Sequence, residues 1–159
     1  MLASLEGSQF AVWARGDSLW GWPLALTIHA FGTALVIGFI FIISLRLLGL
    51  FETISYSTIK RMFPVIWIAV VLQFLSGFVL WTTKPTLYVD DVAFLLKVAL
   101  VVVGIVLTLY VYGTIKREAA SWDTKGAVSS RGTKFAAATL LVWCTVLVAG
   151  RLTAYLGSI

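Results

Sequence analysis

A chain of 159 residues that is 60% hydrophobic and only 12% charged, with a mean hydropathy of +1.00, cannot fold as a soluble domain without exposing large apolar patches. The net charge of +5 does not point to nucleic acid, because the basic residues fall in short loops between apolar runs, where they act as topology signals and contact lipid headgroups. A single cysteine, Cys144, excludes an intramolecular disulfide. The composition is that of an all-α polytopic membrane protein.

Residues 2–14 scatter Leu2, Leu5, Phe10, Val12 and Trp13 among polar neighbours at roughly helical spacing, over a length too short to span. That pattern predicts a short N-terminal interfacial helix, broken at Gly16, Asp17 and Ser18. Glu6 and Arg15 interrupt any continuous apolar core there, so no cleavable signal is expected. Trp20 and Trp22 then stand where an aromatic belt belongs, and Pro23 can open a first span over 22–48, since a first-turn residue has no intrahelical N–H bond to lose. Pro64 opens a second span, 63–82, in the same way. Asp91 is a candidate N-cap for a third, 92–115. Lys116 to Lys134 is the longest polar linker, and a fourth span covers 135–156. Residues 1–159 therefore form one transmembrane domain, a four-helix bundle in the lipid bilayer.

Arg46, Lys60, Arg61, Lys116, Arg117, Lys125, Arg131 and Lys134 fall on one side of these spans, and Arg15, Lys84, Lys97 and Arg151 on the other. Eight against four puts both termini outside, in the periplasm if the membrane is a bacterial inner membrane. With that topology four unusual side chains from four helices share one depth: His29, Trp81, Lys97 and Arg151. Ionisable groups within a span mark a site or a buried polar partner, and the expected site is a cationic, histidine-containing pocket opening outward.

The ligand set limits what such a pocket can hold. One His, one Cys and two Met, with Met1 terminal and Met62 on the inner side, make a poor copper or zinc site. No carboxylate accompanies His29 in the membrane, so no triad or dyad can be assembled, and whether the protein is an enzyme stays open. Haem b needs only one protein imidazole. His29 would be its axial ligand, Lys97 and Arg151 would pair with the propionates, Trp81 would help line the ring, and Gly32 and Gly38 would leave room for the macrocycle. The same glycines equally suit helix–helix packing. Gln73 and Ser76 read as second partners of His29 or as interhelical glue, with glue the simpler reading. Arg46 is expected to snorkel to the inner surface.

Leu5-Glu6-Gly7-Ser8, Pro23, His29-x-x-Gly32-x5-Gly38 and Leu45-Arg46-Leu47-Leu48-Gly49-Leu50 resemble a family of small bacterial integral-membrane proteins of the DUF6644 type, whose function is unknown. The likeness is clearest over residues 5–50 and extends more loosely through Ser76-Gly77 and Lys97. Members of that family often carry acidic residues where this chain has Leu26 and Ser44, and a histidine near Tyr112, so a two-histidine or proton-carrying site does not transfer. More distantly, a histidine early in the first span and a lysine early in the third are similar to the copper-resistance D family and to the membrane protoporphyrinogen oxidases, a likeness that implies a haem or porphyrin site. Three readings follow from the sequence. One is a b-type haem-binding, redox-linked protein; another is an accessory subunit of a larger membrane complex or a homo-oligomer; the third is a small-molecule transporter.

Overall fold

The structure, a computed structural model, describes residues 2–16 and 18–156, with side chains as far as Leu152. Met1 and Asp17 lie outside that set. Among the described residues there are eight helices and no strand: α1 (Leu2–Glu6), α2 (Gln9–Arg15), α3 (Trp22–Leu47), α4 (Tyr56–Lys60), α5 (Phe63–Thr83), α6 (Pro85–Asp90), α7 (Val92–Lys125) and α8 (Ser130–Leu156). Four of them, α3, α5 (continuous with α4 in the candidate span), α7 and α8, are long and apolar enough to cross a membrane. The all-α, four-span architecture is as the composition requires.

Local chemistry explains most of the boundaries. Pro23, Pro64 and Pro85 sit in the first turns of α3, α5 and α6, where a missing N–H is harmless. Asp91 caps α7, its carboxylate accepting the Ala93 N–H at 2.8 Å. The N-terminal stretch divides where one helix was expected: Ser8 accepts the Ala11 N–H at 3.2 Å and starts α2 afresh. Ala11 and Ala14 on α2 are fully buried against the bundle, while Phe10, Val12 and Trp13 are about half exposed, the disposition of a helix lying on a membrane surface. Arg15 ties it down, donating to the Thr83 carbonyl at the end of α5 (2.9 Å) and to the Glu6 carbonyl (2.8 Å).

The third span differs most from expectation. At 34 residues, α7 is about 51 Å long against a hydrocarbon core of about 30 Å, so its last turns stand clear of the membrane. The segment read as a long polar linker is mostly helix. Gly126, at φ +70°, is the left-handed residue that ends α7, its N–H returning to the Trp122 carbonyl at 2.8 Å, and α8 begins only four residues later. The projecting turns are covered by α4. Asp123 accepts the N–H groups of Tyr56 (2.8 Å) and Ser57 (3.2 Å) and the Ser57 hydroxyl, and Tyr56 meets Trp122 edge-on at 5.4 Å.

The spans pack as two pairs, α3 with α5 and α7 with α8, joined mainly through α3 and α8. The larger core lies at the α4 end, around Ile43, Ile59, Phe63, Ile66, Ile115 and Trp122. A second, at mid-depth, centres on Val36, Ile40, Ala69, Trp143 and Val146; there Trp143 donates to Thr108 at 3.1 Å and its ring lies flush on Gly104. Large side chains such as Phe31, Ile68, Phe74 and Leu141 point outward, as a lipid-solvated bundle demands. Among the described residues the end carrying α1 and α2 has no such apolar core, and His29, Gln73, Ser76 and Lys97 lie in that half of the spans.

Candidate functional site

His29 lies two turns into α3, facing α5 at close range. The closeness comes from two glycines. A Cβ on Gly77 would stand 3.0 Å from His29 Cε1, and one on Gly32 would stand 2.7 Å from Gln73 Oε1 and 3.3 Å from the Gln73 nitrogen. Each glycine lets the opposite helix's polar side chain lie against backbone.

Both ring nitrogens of His29 are paired. Gln73 Nε2 donates to His29 Nε2 at 2.9 Å and to Thr33 Oγ1 at 2.8 Å. Because an amide nitrogen can only donate, His29 Nε2 is the acceptor and the ring proton sits on Nδ1, which donates to Ser76 Oγ at 3.1 Å. The two hydroxyls then discharge their own protons along the backbone, Ser76 to the Leu72 carbonyl (2.7 Å) and Thr33 to the His29 carbonyl (2.8 Å). One atom of the cluster is left over: Gln73 Oε1 is buried without a hydrogen-bond partner, resting on Gly32.

Lys97, on α7, is half-buried and close enough to His29 for its charge to act on the ring. Its aliphatic stem runs past Gly150 of α8, where an added Cβ would stand 3.6 Å from Cε and 3.9 Å from Nζ. Among the described residues no carboxylate and no hydrogen-bond acceptor meets its ammonium. Of the five residues expected at the site, His29 and Gly32 are joined through Gln73, and Lys97 lies along Gly150 of the neighbouring helix pair. Arg151 follows Gly150 in sequence but is exposed. Trp81 is half-buried and pairs with Phe78, ring centroids 5.8 Å apart, rather than with His29. Gln73, Ser76 and Thr33 complete the cluster; their spacing along two helices carried that signal for Gln73 and Ser76, whereas Thr33, a turn beyond His29, gave none.

As packed, this ring does not suit an axial haem ligand. An iron would have to take the place of the Gln73 amide or of the Ser76 hydroxyl, and the space beside Gly32, expected to admit a flat macrocycle, is filled by Gln73. Gly38 faces open space but lies on the exposed side of α3. No group of three or more His, Cys, Asp or Glu side chains able to hold a metal ion occurs among the described residues. Cys144 is a free, half-buried thiol.

Arg46 departs from expectation. Instead of snorkelling it is 9% exposed, donating through Nε to the Ile54 carbonyl at 2.7 Å and through Nη2 to the Glu52 carbonyl at 3.4 Å, with its guanidinium 4.2 Å over the Tyr56 ring. A planar cation that can stack on an aromatic ring and bond two carbonyls is retained by the turn that follows α3. No protein-family model, curated protein or solved structure matches the chain.

Proposed function

We propose that this four-span protein is a membrane-embedded binding protein whose ligand is an amphiphile with an anionic head, a carboxylate or a phosphate, taken up beside Lys97 and His29. The observation that carries this reading is the Lys97 ammonium, half-buried within a span, lying along Gly150, and without a counter-charge among the described residues. An ammonium at that depth is costly when unpaired, and a ligand anion would relieve it. The Gln73–His29–Ser76 chain supports the same reading as a frame: it holds α3 on α5 and keeps the imidazole in a fixed orientation. On the distribution of Lys and Arg, eight to one side and four to the other, this site faces away from the cytoplasm.

The test uses decanoate and decyl phosphate against decanol and decyltrimethylammonium, with thermal unfolding of the purified protein in detergent as the readout. Stabilisation by the two anions only is expected, with affinity at least tenfold weaker in Lys97→Met and within about threefold of wild type in Lys97→Arg. Equal stabilisation by decanol, or full binding in Lys97→Met, overturns the proposal. A Soret band in the purified protein that vanishes in His29→Ala would also overturn it, in favour of haem.

A further inference from the structure

At the opposite end of the bundle, where α3 gives way to α4, lies an open groove of about 810 Å³ lined among others by Arg46, Glu52, Tyr56, Trp122 and Asp123. That volume is in the range of small-ligand sites. Its charges are arranged unusually. Arg46 is nine-tenths buried; its guanidinium meets two backbone carbonyls and the Tyr56 ring, the Asp123 carboxylate is near enough for the two charges to act on each other, and Nη1 makes no hydrogen bond among the described residues. The Asp123 carboxylate is already engaged by three donors at the start of α4. The Glu52 carboxylate is exposed and has no hydrogen bond or ion pair among the described residues, where the single ion pair is that of Arg15 with Glu6. A buried guanidinium and a carboxylate six residues apart in sequence thus line one groove without neutralising each other.

We propose that this groove binds a phosphoethanolamine zwitterion, its phosphate on Arg46 and its ammonium on Glu52. A guanidinium matches phosphate geometry with paired N–H donors, and a free carboxylate accepts from an ammonium. A simple anion would leave Glu52 facing it; a simple cation would meet Arg46. The setting favours a lipid source. The turn beside the groove presents Leu50 and Phe51, both about half exposed, and Phe51 adopts φ +53°, a left-handed conformation that is strained for a bulky residue and keeps two apolar side chains in the turn just past the end of a spanning helix, beside the groove. Glycines at 49 (φ +99°) and 126 (φ +70°) make the flanking turns without that strain.

The experiment is native mass spectrometry of delipidated protein titrated with phosphatidylethanolamine or phosphatidylglycerol, which share the phosphate but not the ammonium. Wild type is expected to retain phosphatidylethanolamine about tenfold better. Glu52→Gln, which removes no folded-state contact, should bring the two lipids to within about twofold, and Arg46→Gln should weaken both. Because Arg46 also anchors the turn, its variant is read only if the melting temperature stays within a few degrees of wild type; Glu52→Gln decides the matter otherwise. No retention of either lipid, or a preference unchanged in Glu52→Gln, overturns the proposal. Soluble phosphoethanolamine that displaces the lipid would make the free zwitterion a ligand as well; failure to displace it would assign the groove to the lipid. Neither result depends on Lys97 or the site beside it.

Discussion

Replacing Gln73 with Leu tests directly whether the His29 cluster holds α3 and α5 together. Leu has nearly the volume of Gln but neither of its donors, so the change deletes the 2.9 Å bond to His29 Nε2 and the 2.8 Å bond to Thr33 without opening a cavity. Leaving the buried Nε2 acceptor unmatched costs about 1–3 kcal/mol. Part of this is returned, because Gln73 Oε1, buried and unbonded, disappears at the same time. The expected net destabilisation is about 1–2 kcal/mol. In a double-mutant cycle with His29→Leu, the coupling between the two positions should be about 0.6 kcal/mol and at most about 1.7 kcal/mol, the average and the maximum measured for interhelical hydrogen bonds in a membrane protein. Reversible unfolding by dodecyl sulfate in mixed micelles measures all four corners of the cycle. A coupling indistinguishable from zero would refute the argument, since it would mean that the two side chains do not meet.

Other perturbations follow from the same packing. Gly104→Ala sets a Cβ 2.9 Å from the Trp143 ring, which must move off Thr108; a destabilisation of about 1–3 kcal/mol and a shift in tryptophan emission are expected. Asp91→Ala removes the α7 cap and should destabilise by about 1 kcal/mol, with faster hydrogen exchange confined to the first turn of α7. Asp123→Ala frees the start of α4 from α7, and the expected result is loss of exchange protection over Tyr56–Lys60 while the four spans remain protected.

Much of the protein could be read from its residue order. The apolar runs and the prolines at 23 and 64 located the spans, and Asp91 announced the start of α7, because a helix in lipid must satisfy its backbone internally and its start is written in local chemistry. The projecting end of α7 was concealed for the converse reason. Lys116 to Lys125 is too polar to span and looks like a linker, but a helix that leaves the membrane needs no apolar residues, and only Gly126 ends it.

His29 and Lys97 were conspicuous as ionisable residues in apolar runs, and their shared depth followed from topology alone. Which way each side chain turns did not. Spanning helices are apolar on every face, so hydrophobic periodicity carries no rotation, and a change of 100° separates Gly150, against Lys97, from the exposed Arg151. Arg46 has the same lesson: its depth predicts snorkelling, whereas the carbonyls of Glu52 and Ile54 and the ring of Tyr56 draw it inward. Composition and order determine that this chain crosses a membrane four times and at what depth its polar groups sit; the packing of one helix on another, through glycines at 32, 77, 104 and 150, decides which of those groups meet.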